Sequence, residues 1–223
     1  MDYHDTDNLK FTLEGVDLVI STISGAEQLN LIDAAGRARV HTFVPSGFEG
    51  SLTHRPNPDP FDNYSSAALE QLRIWSSSRN TSMKYTVFSC GIFYERFARG
   101  GLSFHNMGGS CRLHYQGDYM IDVGLGTAEI PTENSQHRPV YICMTSAVDV
   151  ARFVAAAVDL GINTWPREFK MRGARLTPQR ILQYCNEVRQ STLSICSMFH
   201  STYSFYSNVH LPSGFPSYKS TLL

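Results

Sequence analysis

The cysteines of this chain never pair up in sequence. Cys90, Cys111, Cys143, Cys185 and Cys196 stand at least 11 positions apart. With no CxxC, and no HxxxH or HExxH among the eight histidines, no metal site is expected. Charge is also scarce: Asp, Glu, Lys and Arg make up 17% of the residues, and 19 basic side chains nearly cancel 20 acidic ones. Such a chain carries no electrostatic footprint for nucleic acid or an anionic membrane. No apolar run is long enough to span a bilayer. Asp2, Asp5, Asp7, Glu14 and Asp17 break up any apolar leader, so a reducing, cytoplasmic setting is expected. Glycine-rich phosphate loops are missing too. None of the 16 glycines builds GxGxxG or GxxGxxG, and neither a Walker A motif nor GxSxG occurs. Gly124-x-Gly126 comes nearest, with Glu129 where the third glycine belongs. Without a nucleophile elbow, Ser46 is not read as a hydrolase nucleophile.

What is present is an alternation of helix and strand. Asp7 is expected to cap a short helix over 8–14, with Leu9 and Leu13 on one face and Gly15 closing it. Residues 16–20 (VDLVI) read as a strand buried on both faces of a parallel sheet. Ser24 and Glu27 form a capping box for a helix to about Ala38. A strand at 40–44 stops at Pro45. Three prolines mark 50–63 as a loop. Residues 65–79 follow as a helix with Leu69, Leu72, Ile74 and Trp75 inward, then a strand at 85–89. Gly117-Asp118 is expected to turn a hairpin between 112–115 and 119–123. A strand at 140–144 leads to a helix over 148–160 capped by Thr145 or Ser146, then a strand at 168–172. Thr177-Pro178 opens a last helix ending near Arg189. The fold class is therefore α/β. A domain over 1–190 is expected, with a small irregular lobe from 91–135 and 163–189. Residues 191–223, rich in serine and aromatics with Lys219 their only charge, read as an unpacked tail, either a genuine extension or a stretch read out of frame.

Ligands of open parallel sheets bind beyond the carboxyl ends of the strands. Three segments are expected there. Ser21, Thr22, Ile23 and Ser24 precede a helix start whose free N–H groups favour an anion. Pro45, Ser46, Gly47, Phe48 and Glu49 end the second strand. Cys90, Gly91, Ile92, Phe93 and Tyr94 end the third, with Tyr94 the candidate proton donor. A carboxylate pair of Glu95 with Asp118 or Asp122, an anion patch of Arg167, Lys170, Arg172, Arg175 and Arg180, and a reactive Cys90 thiol are weaker alternatives.

The residues also carry a resemblance. LEGVDLVIS at 13–21, Gln28, IDAA at 32–35 and FVPS-x-F at 43–48 resemble the NmrA-like/isoflavone reductase-like family of atypical short-chain dehydrogenase/reductases. YTVFSCGIFYERF at 85–97 looks most like a fungal branch, and TSAVDVA at 145–151 continues the match to about residue 189. The resemblance implies an NAD(P)-binding Rossmann-like sheet that here lacks its first βαβ unit, where the family carries GxxGxxG and its choice between NAD and NADP. It implies Ser21–Ser24, Gln28 and Pro45–Phe48 as cofactor contacts, and Cys90–Tyr94 as contacts for a small aromatic substrate. It also implies a lysine on the helix after the PS-x-F loop. That position falls near Ala67, Ala68 or Leu69, and 65–75 holds no lysine. Three functional readings stay open: a catalytically impaired NAD(P)-dependent reductase of aromatic or secondary metabolism, a non-catalytic dinucleotide-sensing regulator with a protein partner, and a gene-model fragment.

Overall fold

The computed structural model describes residues 1–48, 50, 62–79, 81, 83–108 and 113–190, with the backbone of 194–198. Helix α1 spans Thr6–Thr12. Its cap is Asp5, whose carboxylate accepts from Asn8 N at 3.0 Å. The predicted cap Asp7 lies inside the first turn, where the helix dipole favours a carboxylate. Strand β1 (Leu18–Ile20), helix α2 (Ala26–Arg37) and strand β2 (Thr42–Val44) follow. The capping box is not formed. Gly25 caps α2 at φ 86° with no side-chain bond, and Ser24 Oγ instead accepts from Asn63 Nδ2 at 3.3 Å. At that positive φ only glycine sits without strain, so the backbone turn places the helix start.

Helix α3 (Ser65–Ser77) turns Ala68 and Leu72 inward, whereas Ile74, expected inside, is 63% exposed. Trp75 lies over Gly36 of α2 so closely that any β-carbon there would overlap the indole. The strand expected at 85–89 divides into β3 (Lys84–Tyr85) and β4 (Val87–Ser89) around Thr86. Thr86 N donates to Phe43 O on one side, and its hydroxyl donates to Pro166 O on the other. The chain thus passes from pairing with β2 to pairing with a later strand.

Strands β1, β2 and β3 form a parallel sheet in that order. Alternation sends Val19, Phe43 and Tyr85 against α1, α2 and α3. Leu18, Val44 and Phe88 point the other way. There they meet Phe153, Val154 and Ala157 of α4 (Ala147–Asp159), so the sheet lies between helices, as an α/β fold requires. Ser146 caps α4, accepting from Asp149 N at 3.0 Å. β1 has one neighbour among the described residues and Ile20 is 37% exposed. It is an edge strand whose Val19 and Leu18 pack on opposite faces of the sheet, while Ile20 is left partly open.

Beyond β4 the chain builds a second lobe from β5 (Ile92–Phe93), β6 (Ile121–Asp122), β7 (Thr127–Pro131), β8 (Ile142–Thr145), β9 (Glu168–Lys170), β10 (Ala174–Leu176) and α5 (Pro178–Arg189). β9 pairs in parallel with β4, and β8 lies between β10 and β5. The hairpin is β6–β7, turning at 123–126. Gly117-Asp118 makes a local turn, with Tyr115 N donating to Asp118 Oδ2 at 2.7 Å, but no ladder follows it. Ile121 and its cross-strand partner Ala128 face inward with Ile130, so burial moved the turn; the expected strand start at Arg112 lies outside the described residues. Thr177 caps α5 and Pro178 opens it, as expected. Ile181, Leu182 and Cys185 pack on Ile121, Ala128, Ile130 and Met144 as the lobe's core. Of the stretch expected as an unpacked tail from 191, the backbone of β11 (Ser194–Met198) pairs in parallel with β7; the remainder lies outside the described residues.

Candidate active site

The first two predicted segments meet at the carboxyl edge of the sheet. Ser21 N donates to Val44 O at 2.8 Å, extending the β1–β2 ladder past the strands. Ser21 is buried and its hydroxyl donates to Ile23 O at 3.1 Å, while Thr22 is exposed. Gln28, on the first turn of α2, is only 2% exposed and its Oε1 accepts from Ser46 N at 2.7 Å. This one bond ties the loop after β2 to the helix after β1. Ser46 Oγ is buried and has no hydrogen-bond partner among the described residues. Pro45 and Gly47 are buried beside it, and Glu49 lies outside the described residues. Phe48 turns into the core, its ring centroid 6.2 Å from that of Phe88.

The third segment divides. Cys90 is fully buried, so its thiol meets no ligand from solvent. Gly91 has φ 76°, and a β-carbon there would overlap the Cys143 carbonyl. Glycine is required where the two chains cross, and this position is no free wall of a cleft. Thr145 fixes the same crossing: its hydroxyl donates to Cys90 O at 2.6 Å and accepts from Gly173 N at 3.2 Å. Ile92 and Phe93 pair with Met144 and Thr145 inside the lobe sheet. Tyr94, the next residue, is 37% exposed. Burial first, and then the Asp149 carboxylate, push its phenol above the ordinary tyrosine range. It is a neutral O–H donor at neutral pH.

Tyr94 borders an apolar cavity of about 290 Å³. Phe97, Val123, Met144 and Leu176 line it with Tyr184, Cys185 and Val188 of α5. The α5 residues were not singled out from sequence. Their signal was present: Tyr184 and Val188 are four apart and stand off the buried face of α5, and they remain 42% and 80% exposed. Burial raises the Cys185 thiol, which keeps it protonated and unreactive.

The weaker alternatives disperse. Glu95 Oε1 accepts from Ala147 N at 3.0 Å at the start of α4. Asp122 Oδ1 accepts from Leu125 N at 2.9 Å and Asp118 Oδ2 from Tyr115 N, each within its own turn. Lys170 pairs with Glu168, while Arg167, Arg175 and Arg180 each lie over a different tyrosine, and the expected patch does not gather. Among the described residues no group of His, Cys, Asp or Glu could hold a metal ion, and no helix is long and apolar enough to cross a membrane.

A parallel sheet between helices, with two strand-end loops joined at its carboxyl edge and an apolar cavity beside it, defines an α/β protein of the Rossmann-like class. The chain belongs to the NmrA-like family, whose model matches residues 1–195. Comparison with curated protein sequences finds no match. Among solved structures it is similar to AtPrR2 with NADP+ and (+)-pinoresinol, at 18% identity and TM-score 0.61, over 89% of this chain and 60% of that one. It is also similar to leucoanthocyanidin reductase from Vitis vinifera in a ternary complex, at 15% identity and TM-score 0.60, over 88% and 62%. Triphenylmethane reductase of Citrobacter sp. matches at 15% identity and TM-score 0.55, over 89% and 61%. The chain spans about 60% of the length of these proteins.

Proposed function

We propose that the chain is the strand-edge and substrate-side part of an NAD(P)-dependent reductase of small aromatic or secondary metabolites, impaired in turnover by itself. The observation that carries this reading is the Tyr94 phenol, a neutral donor at the mouth of an apolar cavity. An aromatic substrate fits such walls, with one polar group to orient it. The dinucleotide fits the residues present only in part. The buried Ser46 Oγ, without a hydrogen-bond partner among the described residues, and the start of α2, which has no side-chain cap bond, suit a polar ligand at Ser21–Ser24, Gln28 and Pro45–Gly47. No glycine-rich turn occurs in the 223 residues to grip a pyrophosphate, so no hydride step is assigned. We further propose a cytoplasmic domain that extends past residue 190 to the end of β11.

Isothermal calorimetry with NADPH and NADH tests the cofactor half. Weak, saturable binding abolished by Ser46→Arg is expected; unchanged affinity in that variant overturns the site. Turnover with pinoresinol-like substrates is expected near background. Acid–base help is worth roughly 10²–10⁴ in rate, and helix α3 carries no lysine to give it. Robust turnover by the 223-residue chain overturns the impaired reading and makes Tyr94→Phe the next test. That lysine cannot be restored at 68: Ala68 is 1% exposed in the core, whereas Ala67 is exposed. The same missing lysine favours a second reading, a dinucleotide-sensing regulator with a protein partner, for which binding without turnover is the expected result.

A further inference from the structure

A second cavity lies at the opposite, amino-terminal edge of the sheet. It measures about 280 Å³ and is lined by Thr42, Lys84, Tyr85, Thr86, Ile162, Trp165 and Arg167. Its position separates it from the site above: Lys84 begins β3, whereas Ser46 and Cys90 follow the far ends of β2 and β4. Two cations face it. Arg167 is held in place, one Nη donating to Tyr85 O at 3.2 Å, the other to Ser76 Oγ at 3.3 Å, and its guanidinium stacks 3.8 Å from the Tyr85 ring centre. Its remaining N–H groups, and all those of the exposed Lys84, meet no carboxylate among the described residues. Arg175 and Arg180 of the expected patch lie over Tyr141 and Tyr184, and Lys170 is paired with Glu168, so these three do not line this cavity.

Trp165 and Ile162 supply the apolar wall, and Thr42 and Thr86 line the rest beside the Tyr85 ring. The Trp165 indole is fixed by its N–H to Ala157 O at 2.9 Å, and Ile162 lies three residues before it. A pre-positioned guanidinium suits a carboxylate, because it offers paired donors at a fixed spacing. An adjacent indole suits a ring. The volume lies just below the usual range of ligand cavities, about 300 to 1,000 Å³. It admits a single ring with one anionic group and excludes a dinucleotide.

We propose that this cavity binds a monocyclic aromatic carboxylate, its carboxylate between Lys84 and Arg167 and its ring against Trp165. The site is independent of the reductase reading, and its test uses no cofactor. Benzoate is titrated into the 223-residue chain by calorimetry, with the Trp165 indole N–H resonance followed in parallel. Saturable binding that shifts this resonance is expected. Lys84→Gln, a surface change that leaves the fold intact, should weaken binding about tenfold, as loss of a charged hydrogen bond does. Arg167→Gln should weaken it at least as much, with circular dichroism showing that the variant is folded. Benzyl alcohol, with the ring and no charge, should bind at least tenfold more weakly than benzoate. Absence of saturation, an unmoved indole resonance, equal affinity for benzyl alcohol, or unchanged affinity in Lys84→Gln each overturns the proposal. Inorganic phosphate binding as tightly as benzoate also overturns it, since the ring would then contribute nothing.

Discussion

Gln28 carries the join between the two strand-end loops, because its Oε1 is the acceptor for the Ser46 amide in a buried setting. Leucine at this position fills similar space but leaves that N–H unpaired, which costs about 1–3 kcal/mol. Gln28→Leu should therefore lower the denaturation midpoint with an unchanged m-value, while Gln28→Glu, which keeps an acceptor, should lower it less. Equal losses in the two variants would show that the acceptor is immaterial. Tyr94 gives a pH signature. Its folded pKa lies above the unfolded value, chiefly through burial and then through Asp149. Its contribution to stability is thus complete below about pH 10 and is lost as pH rises through the raised folded value. Phenolate absorbance of the wild type minus Tyr94→Phe should place the midpoint above that of free tyrosine. Asp149→Asn should lower it only partly, because burial is the larger cause.

At the scale of elements, Phe88 joins the sheet to everything on the α4 side. Its ring stacks on Phe169 of β9 at 5.1 Å and meets Phe153 of α4 at 6.0 Å and Trp165 at 5.9 Å, edge to face. Phe88→Ala should cost about 3–5 kcal/mol, the range for emptying a large aromatic site. Chemical denaturation checks this, and a loss below about 1 kcal/mol would show that the cluster repacks. The elements that matched expectation carry their signals locally. Thr177-Pro178 and Ser146 supply caps within three residues of what they cap. The elements that moved were set from farther away. Gly25 displaced the Ser24 box because the backbone turn starts α2 there, and the hairpin turn left Gly117-Asp118 because Ile121 and Ile130 must both face α5.

For the whole molecule, two apolar surfaces remain without a neighbour among the described residues. One is the outer edge of β1, with Ile20 beside it. The other is the outer flank of α5 at Val188, 80% exposed. An open parallel edge pairs readily with another chain. The 223-residue chain is expected to self-associate at micromolar concentration, and Val19→Lys should not relieve this, since Val19 packs in the core, whereas Ile20→Lys should. Sedimentation of the wild type and both variants decides it; a monodisperse wild type with a cooperative melt counts against the idea.

The sequence by itself determined the α/β alternation, the caps of α4 and α5, and the family, because each rests on contacts or motifs within a few residues. It also marked Gln28 and Ser46 as residues of one edge, through the family pattern and the order of strands. Only the tertiary structure decided that these two share a hydrogen bond, that Cys90 and Phe48 belong to the core, and that Tyr94 opens on a cavity completed by α5. The first depends on groups that meet across 18 residues and the last on groups about 90 apart. Packing between distant segments sets them, and no local propensity encodes it.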